Sequence, residues 1–187
     1  VIGYAWSRDG IFWERLEEPV VVPDCTWEKR SLMCPTILWD QKKEIYKLWY
    51  CGGGWFEPDA IGYAESKDGI VWEKCGKNPV FTPDKKNLWE RAHVAGCQVI
   101  QMDGWYYMFY IGYEDLFKAR ICLARSEDGI CWERHPNNPI ITGGQFGAWD
   151  VEAVCRPAAV HLKNKWICYY TGCARKNHRI GALIHEE

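Results

Sequence analysis

Long hydrophobic runs are missing from this chain of 187 residues, and no stretch approaches the ~18 consecutive apolar residues of a membrane-spanning helix. The opening residues, VIGYAWSRDG, also lack the charged start and apolar middle of a signal peptide. Neither sign of charge dominates: 23 basic and 25 acidic residues are interspersed, for a formal net charge of -2. Without a basic stripe to neutralise phosphates, neither nucleic acid nor a membrane is expected as a partner. Cys-x-x-Cys pairs are absent although ten cysteines are present, and Cys and His never gather at ligand spacing. That pattern predicts reduced thiols, a cytoplasmic setting, no metal site and no cofactor. Helical periodicity is lacking too, since no long segment holds an apolar face at the spacing a helix needs.

What the chain has instead is aromatic residues, 12 Trp and 10 Tyr among them, and an internal repeat. Gly52, Gly112 and Gly172 stand 60 residues apart, as do Pro19, Pro79 and Pro139. The stretch SRDGIFWE (Ser7 to Glu14) returns as SKDGIVWE (Ser66 to Glu73) and SEDGICWE (Ser126 to Glu133). Four strand-like runs fill one period: SLMCPTILWD, IYKLWYCGG, AIGYAES and IVWEKCGKNPVF, the last covering Ile70 to Phe81. Four antiparallel strands per ~60 residues fit an all-β propeller, because each sheet then has a neighbour on either face. The Ser-x-Asp-Gly turn is read as a fold-making device: Ser and Asp oxygens accept backbone hydrogen bonds and Gly takes positive φ.

The closing Ser-x-Asp-Gly-Ile-x-Trp-Glu of each repeat, the NP or EP a few residues later and the W-Y-x-G of the second strand resemble the five-bladed propeller glycosidases. That superfamily includes glycoside hydrolase families 43, 32 and 130, with the arabinanases, levansucrases and invertases. The resemblance spans the whole chain as repeat architecture. It implies a carbohydrate ligand in a central funnel, with a non-catalytic sugar- or protein-binding propeller, or an assembly-only remnant, as alternatives. A ring of about five blades takes near 300 residues at this period, so about three blades are expected here. They are divided as residues 1-26 (half blade), 27-82, 83-142 and 143-187 (lacking its outer strand). A bare half blade exposes a strand edge, which favours a homodimer that completes the ring.

Positions that differ between otherwise matching copies are the candidates for function. Three residues after Trp27, Trp89 and Trp149 stand Arg30, Ala92 and Glu152, followed by Ser31, His93 and Ala153. Near the proline of the first strand, Cys34, Gly96 and Arg156 are equivalent. Arg30, His93, Glu152 and Arg156 are therefore the polar set expected at the axis. Glycosidases of this kind use carboxylates from different blades, roughly 5 Å apart for retention and 6.5–9.5 Å for inversion, and Glu152 is the candidate general acid. The family's RDP and EGP motifs are not intact before Pro35 or Pro157. Loops between second and third strands vary, and in them Trp55, Phe56, Tyr113 and Phe117 are candidates for stacking on sugars. Asp59, Glu114, Asp115 and Arg175 are the matching candidates for bonding hydroxyls, ordinary variable turns being the alternative. The acids that follow each Trp, namely Glu28, Glu90 and Asp150, recur and are read as solvated or turn-capping groups.

Overall fold

The computed structural model describes residues 1–29, 31–54 and 58–186. Strands β1 (Ala5–Trp6) and β2 (Glu14–Arg15) form a short hairpin. Blade A follows with β3 (Ser31–Asp40), β4 (Ile45–Gly53), β5 (Pro58–Ser66) and β6 (Glu73–Lys74). Blade B has β7 (His93–Met102), β8 (Trp105–Tyr113), β9 (Ala119–Ser126) and β10 (Glu133–Arg134). Blade C has β11 (Ala153–Leu162), β12 (Lys165–Ala174) and β13 (Asn177–Glu186). Each sheet is an antiparallel meander in sequence order, so the architecture is all-β and propeller-like. Among the described residues the helical pieces are two single 3-10 turns, Thr26–Glu28 and Leu88–Glu90, and none is long and apolar enough to cross a membrane.

The aromatic second strands are what the blades stack on. In β4, Leu48, Trp49, Tyr50 and Cys51 are all fully buried, because one face meets the hairpin side and the other meets blade B. Trp49 packs at 5.2 Å from Tyr63 and 5.7 Å from Tyr106, and its indole N–H donates to the Gly129 carbonyl at 2.8 Å. Phe109, Ile121, Val154, Ala159 and Tyr170 repeat the arrangement between blades B and C. Each such side chain contributes about 1.5–3 kcal/mol on burial. Apolar side chains nevertheless stand exposed on β13 (Ile180, Ile184) and on the turn of the hairpin (Ile11, Phe12, Trp13).

The fourth strands are shorter than the periodicity predicts. Ladder pairing covers two residues, Glu73–Lys74 and Glu133–Arg134, and resumes only as single bridges at Phe81 and Ile141. Between them the Asn side chain takes over the work of a backbone. Asn78 accepts from Tyr63 N and donates to Tyr63 O (2.8 and 2.9 Å), and Asn138 does the same for Leu123 (2.8 and 2.9 Å). An amide can imitate a peptide group in this way, which explains the Asn of the recurring NP.

The Ser-x-Asp-Gly turn is built as expected in all three copies. Asp68 Oδ1 accepts from Ile70 N and Val71 N (both 2.8 Å), Ser66 Oγ accepts from Gly69 N (2.8 Å), and Trp72 Nε1 donates to Gly69 O (2.9 Å). The backbone N–H groups of Val71 and Ile70 hold the Asp68 carboxyl below its ordinary range. Gly10, Gly69 and Gly129 sit at φ of 75°, 76° and 80°. The copies differ in what surrounds them, and that difference is testable. A Cβ at Gly129 would lie 2.8 Å from the Trp49 ring, whereas one at Gly10 would meet nothing within 4 Å. Gly10→Ala is expected to cost about 1–2 kcal/mol from the left-handed backbone alone. Gly129→Ala should cost a further ~1–3 kcal/mol from overpacking, read as the gap between the two variants in urea unfolding.

The recurring acids correct the expectation of solvated groups. Glu28 and Glu90 are 0% exposed and Asp150 is 7% exposed. Each accepts from the tyrosine two positions before the repeat glycine: Tyr50 to Glu28 and Tyr110 to Glu90 at 2.8 Å, Tyr170 to Asp150 at 2.9 Å. A cation from the fourth strand closes the network in two blades, Lys74 on Glu28 at 2.8 Å and Arg134 on Glu90 at 2.6 Å. Burial, then the bond to Asp150, pushes the Tyr170 hydroxyl up to about 12, so it stays a donor. The Trp before each acid explains the invariant glycine: a Cβ at Gly52 would lie 2.7 Å from the Trp27 ring. These acids lock the loop before the first strand onto the second strand.

Candidate functional site

The first strands of the three blades share a kink. Pairing slips between Met33 and Thr36, between Ala95 and Gln98, and between Cys155 and Ala158. The residue at each slip, Cys34, Gly96 or Arg156, has φ of 53°, 49° or 53°. Only glycine adopts that conformation without cost, so Cys34 and Arg156 are held in left-handed backbone at ~1–2 kcal/mol each. Bulges of this kind re-aim side chains, and both residues are exposed. Of the three, Arg156 is the one the comparison of copies marks as a candidate, with Cys34 and Gly96 at the equivalent positions.

At the start of the first strands the structure assembles a cluster from two blades. Asp59, the second residue of β5, pairs with the Lys29 ammonium from the loop before β3. Its other oxygen lies 3.1 Å from Nδ1 of His93, the first residue of β7 on blade B. The Tyr113 ring stands edge-on to His93 with centroids 6.4 Å apart. Asp59 and His93 side chains are 32% and 26% exposed, so the cluster is sheltered but reachable by a polar ligand. Gly53, at φ 151°, lies against Asp59, and Ser31 Oγ donates to the Gly54 carbonyl at 2.6 Å, which fixes the base of the variable loop.

A second group spans blades B and C. Glu152 precedes β11, is exposed, and accepts from Arg175 N at 3.0 Å through one carboxylate oxygen. Its carbonyl accepts from Arg120 of β9 at 3.2 Å. Glu152 and Arg175 line a cleft of about 360 Å³ with Trp149, Asn177 and Arg179. Arg156 lines an adjoining open hollow of about 750 Å³ with Thr171, His178 and Arg179. This side of the molecule is therefore rich in cations, while an apolar cleft of about 720 Å³, lined by Phe109, Leu123, Trp166 and Leu183, carries no carboxylate.

Asp59, His93 and Tyr113 thus come together, and Glu152 and Arg156 share blade C. Asp115 is placed otherwise: one carboxylate oxygen accepts from Phe117 N and Lys118 N at 2.8 and 2.9 Å, closing its own turn. Arg30 and Trp55, with Phe56, lie outside the described residues. Lys29 and Arg120 were missed by sequence reasoning. A signal for Lys29 existed, since Arg91 and Val151 occupy its place in the other copies and the position varies as the chosen ones do. Asp24, Cys25 and Glu28 bring three potential metal-binding atoms within 4.8 Å of one another, but the Lys74 ammonium sits 2.8 Å from both carboxylates and meets their charge.

No family model matches the chain. It is 30% identical over 180 residues to an uncharacterized protein of Mycobacterium tuberculosis (strain CDC 1551 / Oshkosh), covering 91% of this chain and 56% of that protein. It is 32% identical over 132 residues to a 1,2-beta-oligomannan phosphorylase of Thermoanaerobacter sp. (strain X514), covering 63% of this chain and 42% of that one. The chain therefore spans about half the length of the curated relatives it matches. Among solved structures, a glycoside hydrolase superposes with a TM-score of 0.74 at 20% identity, over 94% of this chain and 53% of that one. The beta-1,2-mannobiose phosphorylase from Listeria innocua gives 0.71 at 19% identity, over 97% and 48%. The four-stranded antiparallel meanders and these superpositions agree: the chain carries the β-propeller fold that these glycoside hydrolase and phosphorylase structures share.

Proposed function

We propose that the protein cleaves a glycoside at the rim where blades A, B and C present the Lys29–Asp59–His93 and Arg120–Glu152–Arg175 groups, with inorganic phosphate as the attacking group. The observation that carries this reading is the inter-blade cluster of Asp59 with Lys29 and His93, on a molecule whose blade C clefts are lined by Arg156, Arg175 and Arg179. Asp59 orients sugar hydroxyls and faces the positive charge that develops at the anomeric carbon. Glu152, with one oxygen uncommitted to the Arg175 amide, protonates the departing glycosidic oxygen as general acid. Phosphate then replaces the carboxylate that would otherwise attack or activate water. The C1–O bond to the leaving sugar breaks, a C1–O bond to phosphate forms, and the acid's proton ends on the leaving sugar. Arg156 and Arg179 supply charge for an anion of that kind.

Two named relatives act on β-1,2-linked mannosides, which selects the substrate for the test. The full-length protein incubated with β-1,2-mannobiose and inorganic phosphate is expected to release mannose and a mannose phosphate ester in equal amounts. Omitting phosphate should stop the reaction. Free mannose without phosphate ester would mean hydrolysis, and saturable binding without turnover would mean a sugar-binding propeller.

A further inference from the structure

The first strand of every blade lies at the edge of its sheet, so one row of its backbone groups has no ladder partner. On β11 a side chain from the neighbouring blade meets that row. Ala159 N donates to Gln98 Oε1 at 2.6 Å, and Gln98 Nε2 donates to Ala159 O at 2.9 Å. Gln98, on β7 of blade B, thereby acts as a one-residue strand across the blade interface, its amide standing in for a peptide group. Ala159 is 2% exposed, so both of its backbone bonds are made out of the reach of water.

The clamp has a weaker counterpart between blades A and B. Gln98 is the first paired residue after the slip of β7, and Ala159 is the second after the slip of β11. Thr36 is the first after the slip of β3, and its Oγ1 accepts from Val99 N at 3.4 Å, a single and longer bond. What the two clamps stand beside differs. Three residues before Val99 is Gly96, which takes its φ of 49° without cost; three before Ala159 is Arg156, a residue with a long side chain at φ 53°. Left-handed backbone of that kind persists only where its surroundings over-determine it. The ladder to β12 fixes Cys155 and Ala158 on either side of Arg156, opposite Thr171 and Tyr169, and Gln98 fixes the free edge one residue further on.

We propose that Gln98 is a positioning residue for Arg156, holding β11 from the neighbouring blade so that the bulge presents the guanidinium to the hollow it shares with Thr171, His178 and Arg179. The assignment rests on the reading that Arg156 supplies charge to phosphate. Gln98 itself touches neither phosphate nor sugar. A guanidinium recognises an anion through a planar fork of N–H groups, so its direction matters as much as its charge. Without the clamp the two edge groups of Ala159 lose their partners and the strand shifts to recover others. Phosphate affinity then falls, while Asp59 and His93, which belong to blade A and to the start of β7, keep their contact.

The experiment measures binding of inorganic phosphate to the full-length protein by calorimetry, together with KM for phosphate and for β-1,2-mannobiose. Gln98→Leu is expected to weaken phosphate binding and raise KM for phosphate by about tenfold, with KM for mannobiose changed by less than about twofold. Thr36→Val should leave both constants within about twofold, since Gly96 has no side chain to aim. Arg156→Gly should weaken phosphate binding by itself, and adding Gln98→Leu to it should bring no further loss, because the two act through one contact. If Gln98→Leu does not fold, Gln98→Glu serves instead: it keeps the acceptor for the Ala159 amide, loses the donor, and should weaken phosphate binding about threefold. Unchanged phosphate affinity in the Gln98 variant, a parallel rise in both KM values, or an equal loss from Thr36→Val overturns the assignment and leaves Gln98 as a blade-stacking contact. A parent protein that binds no phosphate overturns the reading of Arg156, and this assignment with it.

Discussion

Asp59→Asn is expected to lower kcat/KM for phosphorolysis of β-1,2-mannobiose by about 10²–10³-fold, the usual loss when one preorganised electrostatic partner of the transition state is removed. Its carboxylate is the only described acid that pairs with both a Lys from its own blade and a His from the next. Neutralising it removes an acceptor for sugar hydroxyls and leaves Lys29 without its partner. Stability should change by less than about 1 kcal/mol, because both ion-pair partners are partly exposed and screened. A melting temperature equal to that of the parent protein therefore separates a site effect from unfolding. Turnover within threefold of the parent would remove Asp59 from the site. Glu152→Gln gives a contrasting signature: its loss should be large for mannobiose and small for an activated aryl mannoside, whose leaving group needs no proton. Equal losses on both substrates would take the acid role away from Glu152.

Glu90→Ala is expected to destabilise the fold by about 3–5 kcal/mol, since it removes the buried carboxylate of an ion pair and leaves the half-buried Arg134 and several donors without their acceptor. Glu90 is 0% exposed and accepts from Tyr110 (2.8 Å), Asn87 (2.9 Å) and Arg134 (2.6 Å). For a chain of this size that amounts to roughly 6–20 °C in melting temperature, measurable by calorimetry. Asp150→Ala should cost less, about 1–3 kcal/mol, because Asp150 bonds Tyr170 and the Gly144 amide with no ion pair among the described residues. Pairing Glu90→Leu with Arg134→Met should recover part of the loss, as buried charges are replaced by apolar volume. A shift of under 2 °C for Glu90→Ala would show that the network does not carry the loop.

Much of the fold was legible because the repeat states its own rules. Runs at Ser31–Asp40 and Ile45–Gly53 coincide with β3 and β4, since β-branched and aromatic residues bounded by turn signals leave few other conformations. The fourth run was read too long. A side-chain amide at Asn78 replaces the ladder there, and periodicity cannot distinguish a strand from a segment that an amide ties in place. The acids after each Trp were read as exposed because a carboxylate beside a turn usually is. Their burial depends on Tyr50, Tyr110 and the cations Lys74 and Arg134, which lie 20 or more residues away in sequence.

The site shows the same division. Comparing copies marks His93, Glu152, Arg156 and Asp59 as candidates, because a fixed scaffold makes local variation informative. It did not show that Asp59 and His93 meet or that Lys29 joins them, since each of these contacts crosses strands or blades. The sequence by itself determined the strand order, the turns and the blade repeat, all of which rest on local propensity and short-range hydrogen bonds. Only the tertiary structure decided which polar groups are buried, which face one another between blades, and where a bulge turns Cys34 and Arg156 outward. Those outcomes depend on the stacking of whole sheets, a long-range arrangement that no local pattern encodes.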